Sequence, residues 1–226
     1  MGRSIIQDAH FPQTLHRPQV PLMKKLIAAT LALSLTVPYA AREDSETYDV
    51  GSKVNADITL TDIDGKKHRF GDYKDKLVVV DFWSINCPWS IKAEPKLLAL
   101  HEEYREKGVV FLAINSNKTE HDWDAENPFE EIEKYVRKNE ITYPILIDKN
   151  NVVADQFGGL TTPHLYVINK GVIAYNGGLD DNPDGEPENA YLRTALDEIL
   201  AGKAVTTAKT KPKGCSIKRV AKRPTE

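Results

Sequence analysis

The feature that most constrains this chain is the run Leu77-Val78-Val79-Val80-Asp81-Phe82-Trp83, followed three residues later by Cys87-Pro88. A nearly unbroken apolar run of strand length has no polar face to offer water, so it predicts a strand buried on both sides, as in the middle of an α/β sheet. From Pro88 to Lys107 the periodicity turns helical, with Ile91, Leu97, Leu98, His101 and Tyr104 near one stripe. Pro95 predicts a kink, because it cannot donate the bond back along the helix, and Gly108 predicts the stop. The chain therefore passes almost directly from a central strand into a helix, and Cys87 stands at that transition.

The flanking segments extend the pattern. Ile58-Thr59-Leu60, the turn Asp62-Ile63-Asp64-Gly65 and Lys67-His68-Arg69-Phe70 read as a hairpin. Val109–Ile114 is a second buried strand and Pro144–Asp148 a third, with a helix around Phe129–Lys138 between them. Val152–Phe157 is a short helix closed by Gly158-Gly159. His164–Ile168 and Val172–Tyr175 form a hairpin around Asn169-Lys170-Gly171, and a last helix runs from about Asn189 to Leu200 before Gly202. The expected fold class is α/β, a central mixed sheet with helices on both faces. Only the first and second buried strands are expected to need a parallel crossover, and the later hairpin makes the far edge antiparallel.

At 226 residues the chain has room for one domain plus tails, and 41% apolar residues are enough for a real core. A net charge of −3 gives no electrostatic case for nucleic acid as a partner. The two cysteines, Cys87 and Cys215, are too few for a disulfide framework or a zinc knuckle. No metal site and no cofactor are expected. The acidic stretch around His121, Asp122, Asp124 and Glu126 lacks fixed ligand spacing, and Asp180–Gly185 reads as a polar turn.

Lys24-Lys25, the apolar run Leu26–Val37 and the exit Pro38-Tyr39-Ala40-Ala41 have the order of a secretory signal. The run is short for a membrane-spanning helix. The expected location is therefore exported, periplasmic or extracytoplasmic, with membrane attachment only if this segment stays uncleaved. Met23 is the expected initiator. The organisation predicted is residues 1–41 as extension and signal, 42–53 as linker, 54–201 as the domain and 202–226 as a basic, mobile tail carrying Cys215.

Proline is favoured at the first position of a helix, which puts Cys87 at the N-cap with Pro88 after it. Unsatisfied N–H groups and the helix dipole there favour a thiolate, the reactive form of cysteine. The alternative for Cys87 is a small buried hydrophobe.

Val80-Asp81-Phe82-Trp83 running into Cys87-Pro88-Trp89-Ser90 resembles the active-site segment of thioredoxins. It resembles most the exported redoxins of the alkyl hydroperoxide reductase/thiol-specific antioxidant group and their thiol-disulfide oxidoreductase relatives. Thr162-Pro163-His164 is similar to that family's cis-proline loop. The resemblance spans roughly residues 54–201, and residues 210–218 are similar to the tail of one redoxin subgroup. It implies a thioredoxin-like fold, and a thiol-dependent oxidoreductase in which Cys87 attacks a substrate disulfide while the Pro163 loop offers a backbone edge to a substrate polypeptide. Implied partners are protein disulfides or thiols, or small peroxides, together with an external thiol reductant.

Departures from the family pattern carry information. Ser90 stands where dithiol enzymes have a second cysteine; it cannot resolve a mixed disulfide, though its hydroxyl can donate to the Cys87 sulfur. Asn86 replaces a common tryptophan. Asp81 matches a buried acid that serves the resolving cysteine, and is expected either to tune nearby pKa values or to be an ordinary hydrogen-bonded strand residue. Ser84 satisfies one requirement of a peroxidase motif, a hydroxyl three residues before the cysteine, but Val80 stands where that motif wants proline. Trp89 is expected to be partly exposed and to contact a partner or the tail, and His164 to face the thiol or the solvent. Cys215 is open between a resolving cysteine that folds back with the help of Gly214, a structural bridge to Cys87, and an unrelated thiol. Three functions follow as expectations: thiol-disulfide exchange, peroxide reduction, or a redox-inactive binding domain.

Overall fold

The computed structural model describes residues 47–221. The signal-like segment and the Met23 start lie outside the described residues. The elements are β1 (Thr59–Asp62), β2 (Lys67–Arg69), β3 (Leu77–Trp83), α1 (Pro88–Arg105), β4 (Val109–Asn115), α2 (Glu130–Lys138), β5 (Ile145–Ile147), α3 (Val152–Phe157), β6 (Thr161–Thr162), β7 (Leu165–Asn169), β8 (Val172–Gly177), α4 (Tyr191–Leu200) and β9 (Cys215–Ser216). Seven strands make the central sheet in the order β2-β1-β5-β4-β3-β7-β8, while β6 and β9 pair separately.

β3 occupies the middle of the sheet, parallel to β4 and antiparallel to β7, and every one of its residues is buried. Its alternation divides the core in two. Leu77, Val79 and Trp83 join the layer built by α1, α2 and α4, where Leu97, Tyr104, Ile132 and Leu196 pack. Val78, Val80 and Phe82 face the other layer, formed by α3, Phe70 and the N-terminal hairpin. This period-two division is the physical origin of helices on both faces.

Two sequence expectations change here. β5 also pairs parallel to β4, so the sheet contains a second parallel crossover, through α2. The three-residue β5 is too short for periodicity to announce its direction. In α1 the buried stripe is Ser90, Ala93, Glu94, Leu97, Leu100 and Tyr104, and Ile91 lies exposed. The first turn of α1 turns its small residues to the sheet, which leaves Ile91 outward. Pro95 lies within α1, and Gly108, at φ +81°, ends the helical region as its missing Cβ allows.

The larger correction concerns the two ends. The described residues form one compact unit. In the stretch expected to be a linker, Tyr48 sets its ring edge-on to Phe157, and Lys53 bridges to Val172. The stretch expected to be a mobile tail is a strap held along its length. Thr210 N–H donates to Asn176 O, and its hydroxyl is 2.6 Å from that of Tyr175. Ile217 is 5% exposed and sits in the α3-side core. The Lys218 N–H donates to Asn117 Oδ1 and the Val220 N–H to Asn151 Oδ1, while Arg219 pairs with Asp155 at 2.8 Å. Charge composition misreads this segment, because backbone groups and one isoleucine anchor it along with basic side chains that find partners, Lys209 on Asp49 among them. Among the described residues no helix is long and apolar enough to cross a membrane.

If Ile217 anchors the strap, Ile217→Ala is expected to destabilise the fold by about 2–4 kcal/mol, the usual cost of removing a buried isoleucine side chain. Denaturant melts measure the loss, and hydrogen exchange should show residues 209–220 opening ahead of the sheet.

Candidate functional site

The site lies where β3 hands the chain to α1. Cys87 is the N-cap of α1 in extended conformation, and Pro88 is the first helical residue, as the sequence predicts. The connection is held by a residue the sequence reading missed. Glu120 is buried, and its carboxylate accepts from Ser84 Oγ at 2.5 Å, Asn115 Nδ2 at 2.6 Å and the backbone N–H groups of Ile85 and Asn86. One carboxylate thus satisfies the orphan donors of a strand-to-helix turn. Glu120 stands in a polar stretch with no periodicity, and nothing in its neighbours signals the role.

The other wall is the loop at Pro163. The Thr162–Pro163 peptide is cis. The Cys87 thiol donates to the Thr162 carbonyl at 2.7 Å. Thr162 also belongs to β6, which pairs antiparallel with β9 so that Thr162 lies opposite Cys215. The chain's own strap therefore fills the backbone edge that the sequence reading offered to a substrate polypeptide. Gly214 matters for close approach rather than for freedom of movement. A Cβ there would collide with the Thr162 carbonyl, so only glycine lets the strap lie this near.

Both cysteines are free thiols. Cys87 is only 2% exposed, whereas Cys215 is partly open to solvent. Burial would push the Cys87 thiol up. Hydrogen bonds from the Thr162 side chain, from the Cys215 thiol and from the Ser90 and Cys215 backbone outweigh this, and its pKa is lowered; the bond to the Thr162 carbonyl belongs to the protonated thiol. Cys215 moves the opposite way, raised first by its hydrogen bond to Cys87 and then by burial. The two shifts describe one arrangement, in which Cys215 keeps its proton and donates it toward a sulfur at a helix N-terminus.

Asp81 lies on the α1 face of β3. Neither carboxylate oxygen has a hydrogen-bond partner, which excludes the ordinary hydrogen-bonded reading. Burial pushes its pKa up to about 8; the His164 backbone opposes this, and the charges of Glu94 and Cys87 add to it. Glu94 is the second acid beneath the site. It accepts from Trp83 Nε1 and the Tyr135 hydroxyl, both at 3.2 Å, and burial raises its pKa. Its place in the helical stripe could have signalled it, since a glutamate on a buried face needs partners.

Several expected contacts are absent. The Ser84 hydroxyl is committed to Glu120 and not to the space beside Cys87, so the peroxidase-like hydroxyl is not available as expected. No arginine is among the groups acting on Cys87. The Ser90 hydroxyl is buried without a partner, and its backbone rather than its side chain serves the sulfur. His164 is buried rather than solvent-facing. Its Nδ1 accepts from the Leu160 N–H and its Nε2 donates to Asn176 Oδ1, which makes it neutral, and burial lowers its pKa to about 4. Trp89 is 37% exposed, and its backbone bonds to Cys215, so it meets the strap.

Comparisons with known proteins agree with this geometry. The model of the AhpC/TSA family matches residues 50–176. Thiol-disulfide oxidoreductase ResA of Bacillus cereus is 25% identical over 174 residues, covering 77% of this chain and 91% of that protein. The structure of an uncharacterized conserved protein from Geobacillus kaustophilus superposes with a TM-score of 0.70 at 31% identity, covering 79% of this chain and 96% of that one. The thioredoxin domain of a thiol-disulfide oxidoreductase from Bacteroides vulgatus has a TM-score of 0.52 at 21% identity over 68% of this chain and 99% of that one, a likeness of fold.

Two outcomes follow from the buried acids. The folded chain retains a proton on Asp81 that the unfolded chain loses between about pH 4 and pH 8, so this group's contribution to stability falls as pH rises through that window. Asp81→Asn should flatten that slope and exceed the parent in stability above pH 8, by up to about 5 kcal/mol; urea melts across pH test this, and parallel slopes would refute it. Glu120→Ala should cost about 1–3 kcal/mol by orphaning buried donors, and should speed hydrogen exchange at Ile85 and Asn86.

Proposed function

The chain belongs to the AhpC/TSA family, and on that premise we propose that it is an exported thiol-disulfide oxidoreductase whose working couple is Cys87 and Cys215. The observation that carries this reading is the Cys87 sulfur at the N-cap of α1, bonded to the Thr162 carbonyl, with Cys215 in register across the same residue. The name of the Bacillus cereus relative supports the reaction class. Export is supported by the basic, apolar and small-residue order of Lys24–Ala41.

In this cycle the reduced chain holds two thiols and the oxidised chain one Cys87–Cys215 disulfide. Interconversion passes through a mixed disulfide with a partner, two electrons moving in all. Cys87 supplies the sulfur best able to carry negative charge, because hydrogen bonds and the helix end stabilise its thiolate. Cys215 supplies the second thiol that Ser90 cannot, and an external thiol reductant completes the cycle. Pro88 presets the helix start, and Thr162 with Pro163 gives the sulfur its carbonyl neighbour. Asp81 and Glu94 lie beneath as poorly solvated acids that resist ionising.

Peroxide reduction is the weaker reading, since the Ser84 hydroxyl is bonded away from the thiol. Stopped-flow mixing with hydrogen peroxide should give a rate no faster than free cysteine.

The direct test is thiol counting by mass spectrometry. Mild oxidation of the full chain should consume both thiols in one intrachain disulfide, and Cys87→Ser or Cys215→Ser should abolish it. Catalysed reduction of a model protein disulfide should be lost in Cys87→Ser. A chain that keeps two free thiols under oxidant would remove the proposal.

A further inference from the structure

Resting on the thiol-disulfide reading above, we propose that Cys215, and not Cys87, is the sulfur at which a partner enters. Cys87 acts behind it as the buried sulfur that leaves. The order of the two cysteines is the reverse of the one expected from sequence.

Access decides this. Cys87 is 2% exposed and lies among the Thr162 carbonyl, the first turn of α1 and the strap itself, while Cys215 is partly open. A thiolate displaces a disulfide sulfur along the line of the breaking bond. To strike Cys87 it would have to come from the side opposite Cys215, which is the interior of the protein. To strike Cys215 it comes from outside. Beside the strap here, the half-exposed Trp89, Pro163, Leu179 and Lys213 line a small cavity of about 30 Å³.

The strap also restricts what can enter. The Thr162 edge is already paired, residue for residue, with Cys215, so an incoming polypeptide has no free backbone there to pair with. The strap is held on both sides of Cys215, by Thr210 before it and by Ile217, Lys218 and Arg219 after it. The partner class is therefore a protruding thiol, as on a small thiol compound or a flexible cysteine-bearing segment, and not an extended chain laid along the Pro163 loop.

With glutathione the steps balance. Its thiolate, having given its proton to solvent, attacks Cys215 Sγ. A glutathione–Cys215 bond forms, the Cys87–Cys215 bond breaks, and the electron pair leaves on Cys87 Sγ at the helix N-terminus. A second glutathione thiolate attacks the glutathione sulfur of the adduct, giving glutathione disulfide and the Cys215 thiol. The departing Cys87 thiolate is left at the N-cap of α1, where the helix end favours negative charge, which agrees with attack at Cys215.

The experiment uses the full oxidised chain, a brief exposure to glutathione, trapping with N-ethylmaleimide and peptide mapping. Glutathione should appear on Cys215 and maleimide on Cys87, in roughly tenfold excess over the opposite pattern. Glutathione on Cys87 in equal or greater amount would overturn the inference while leaving the redox couple standing. Failure of the chain to form the Cys87–Cys215 disulfide at all would instead strike the reading beneath it. A second measurement isolates the seal. In Cys215→Ser, alkylation of Cys87 by iodoacetamide should be slow. Adding Gly214→Ala, which forces the strap off the Thr162 carbonyl, should accelerate it about tenfold. An unchanged rate would mean that the strap does not close the site.

Discussion

A two-residue antiparallel pairing, Thr161–Thr162 with Cys215–Ser216, is the contact that brings Cys215 to the Cys87 site. So short a ladder has little stability of its own. It persists because the strap is fastened beyond both ends, by the Thr210 hydroxyl bonded at Gly178 and Tyr175 and by the buried Ile217 side chain. Gly214 allows the approach by having no side chain to place against the Thr162 carbonyl. The result brings together two thiols that are far apart in sequence, and spends a sheet edge on the chain itself.

The electrostatics follow from that closure. A thiol buried alone would be held protonated by desolvation. Here the helix end and a second thiol supply donors in place of the excluded water, so the inner sulfur is the more acidic although it is the more buried. The carboxyl of Asp81, on β3, has only the His164 backbone to oppose its burial, and its pKa climbs to about 8. Groups around one site are thus driven apart by whether donors reach them.

Much of the fold was legible because strong local patterns agree with it. The run from Leu77 to Trp83 is β3 to the residue, Pro88 opens α1, and the Lys170-Gly171 turn with both residues at positive φ joins β7 to β8. The failures have equally local causes. Hydrophobicity alone puts Ile91 in the core, whereas the helix face is chosen by packing, which leaves it exposed. The direction of β5 is a property of its neighbour, not of three apolar residues. Spacing from Cys87 points both Ser84 and Ser90 toward the sulfur, but one is turned to Glu120 and the other is sealed without a partner.

What the sequence determined by itself was the strand, the helix and the cysteine at their junction, because all three arise from interactions within about twenty residues of one another. What only tertiary structure decided was the company that cysteine keeps. Glu120, Thr162 and Cys215 reach it from distant points in the chain, through single hydrogen bonds and one close glycine contact, and such contacts leave no period or composition to read. The accessibility of each sulfur is likewise a property of the packed strap, since burial is set by what lies above a residue and not by the residue.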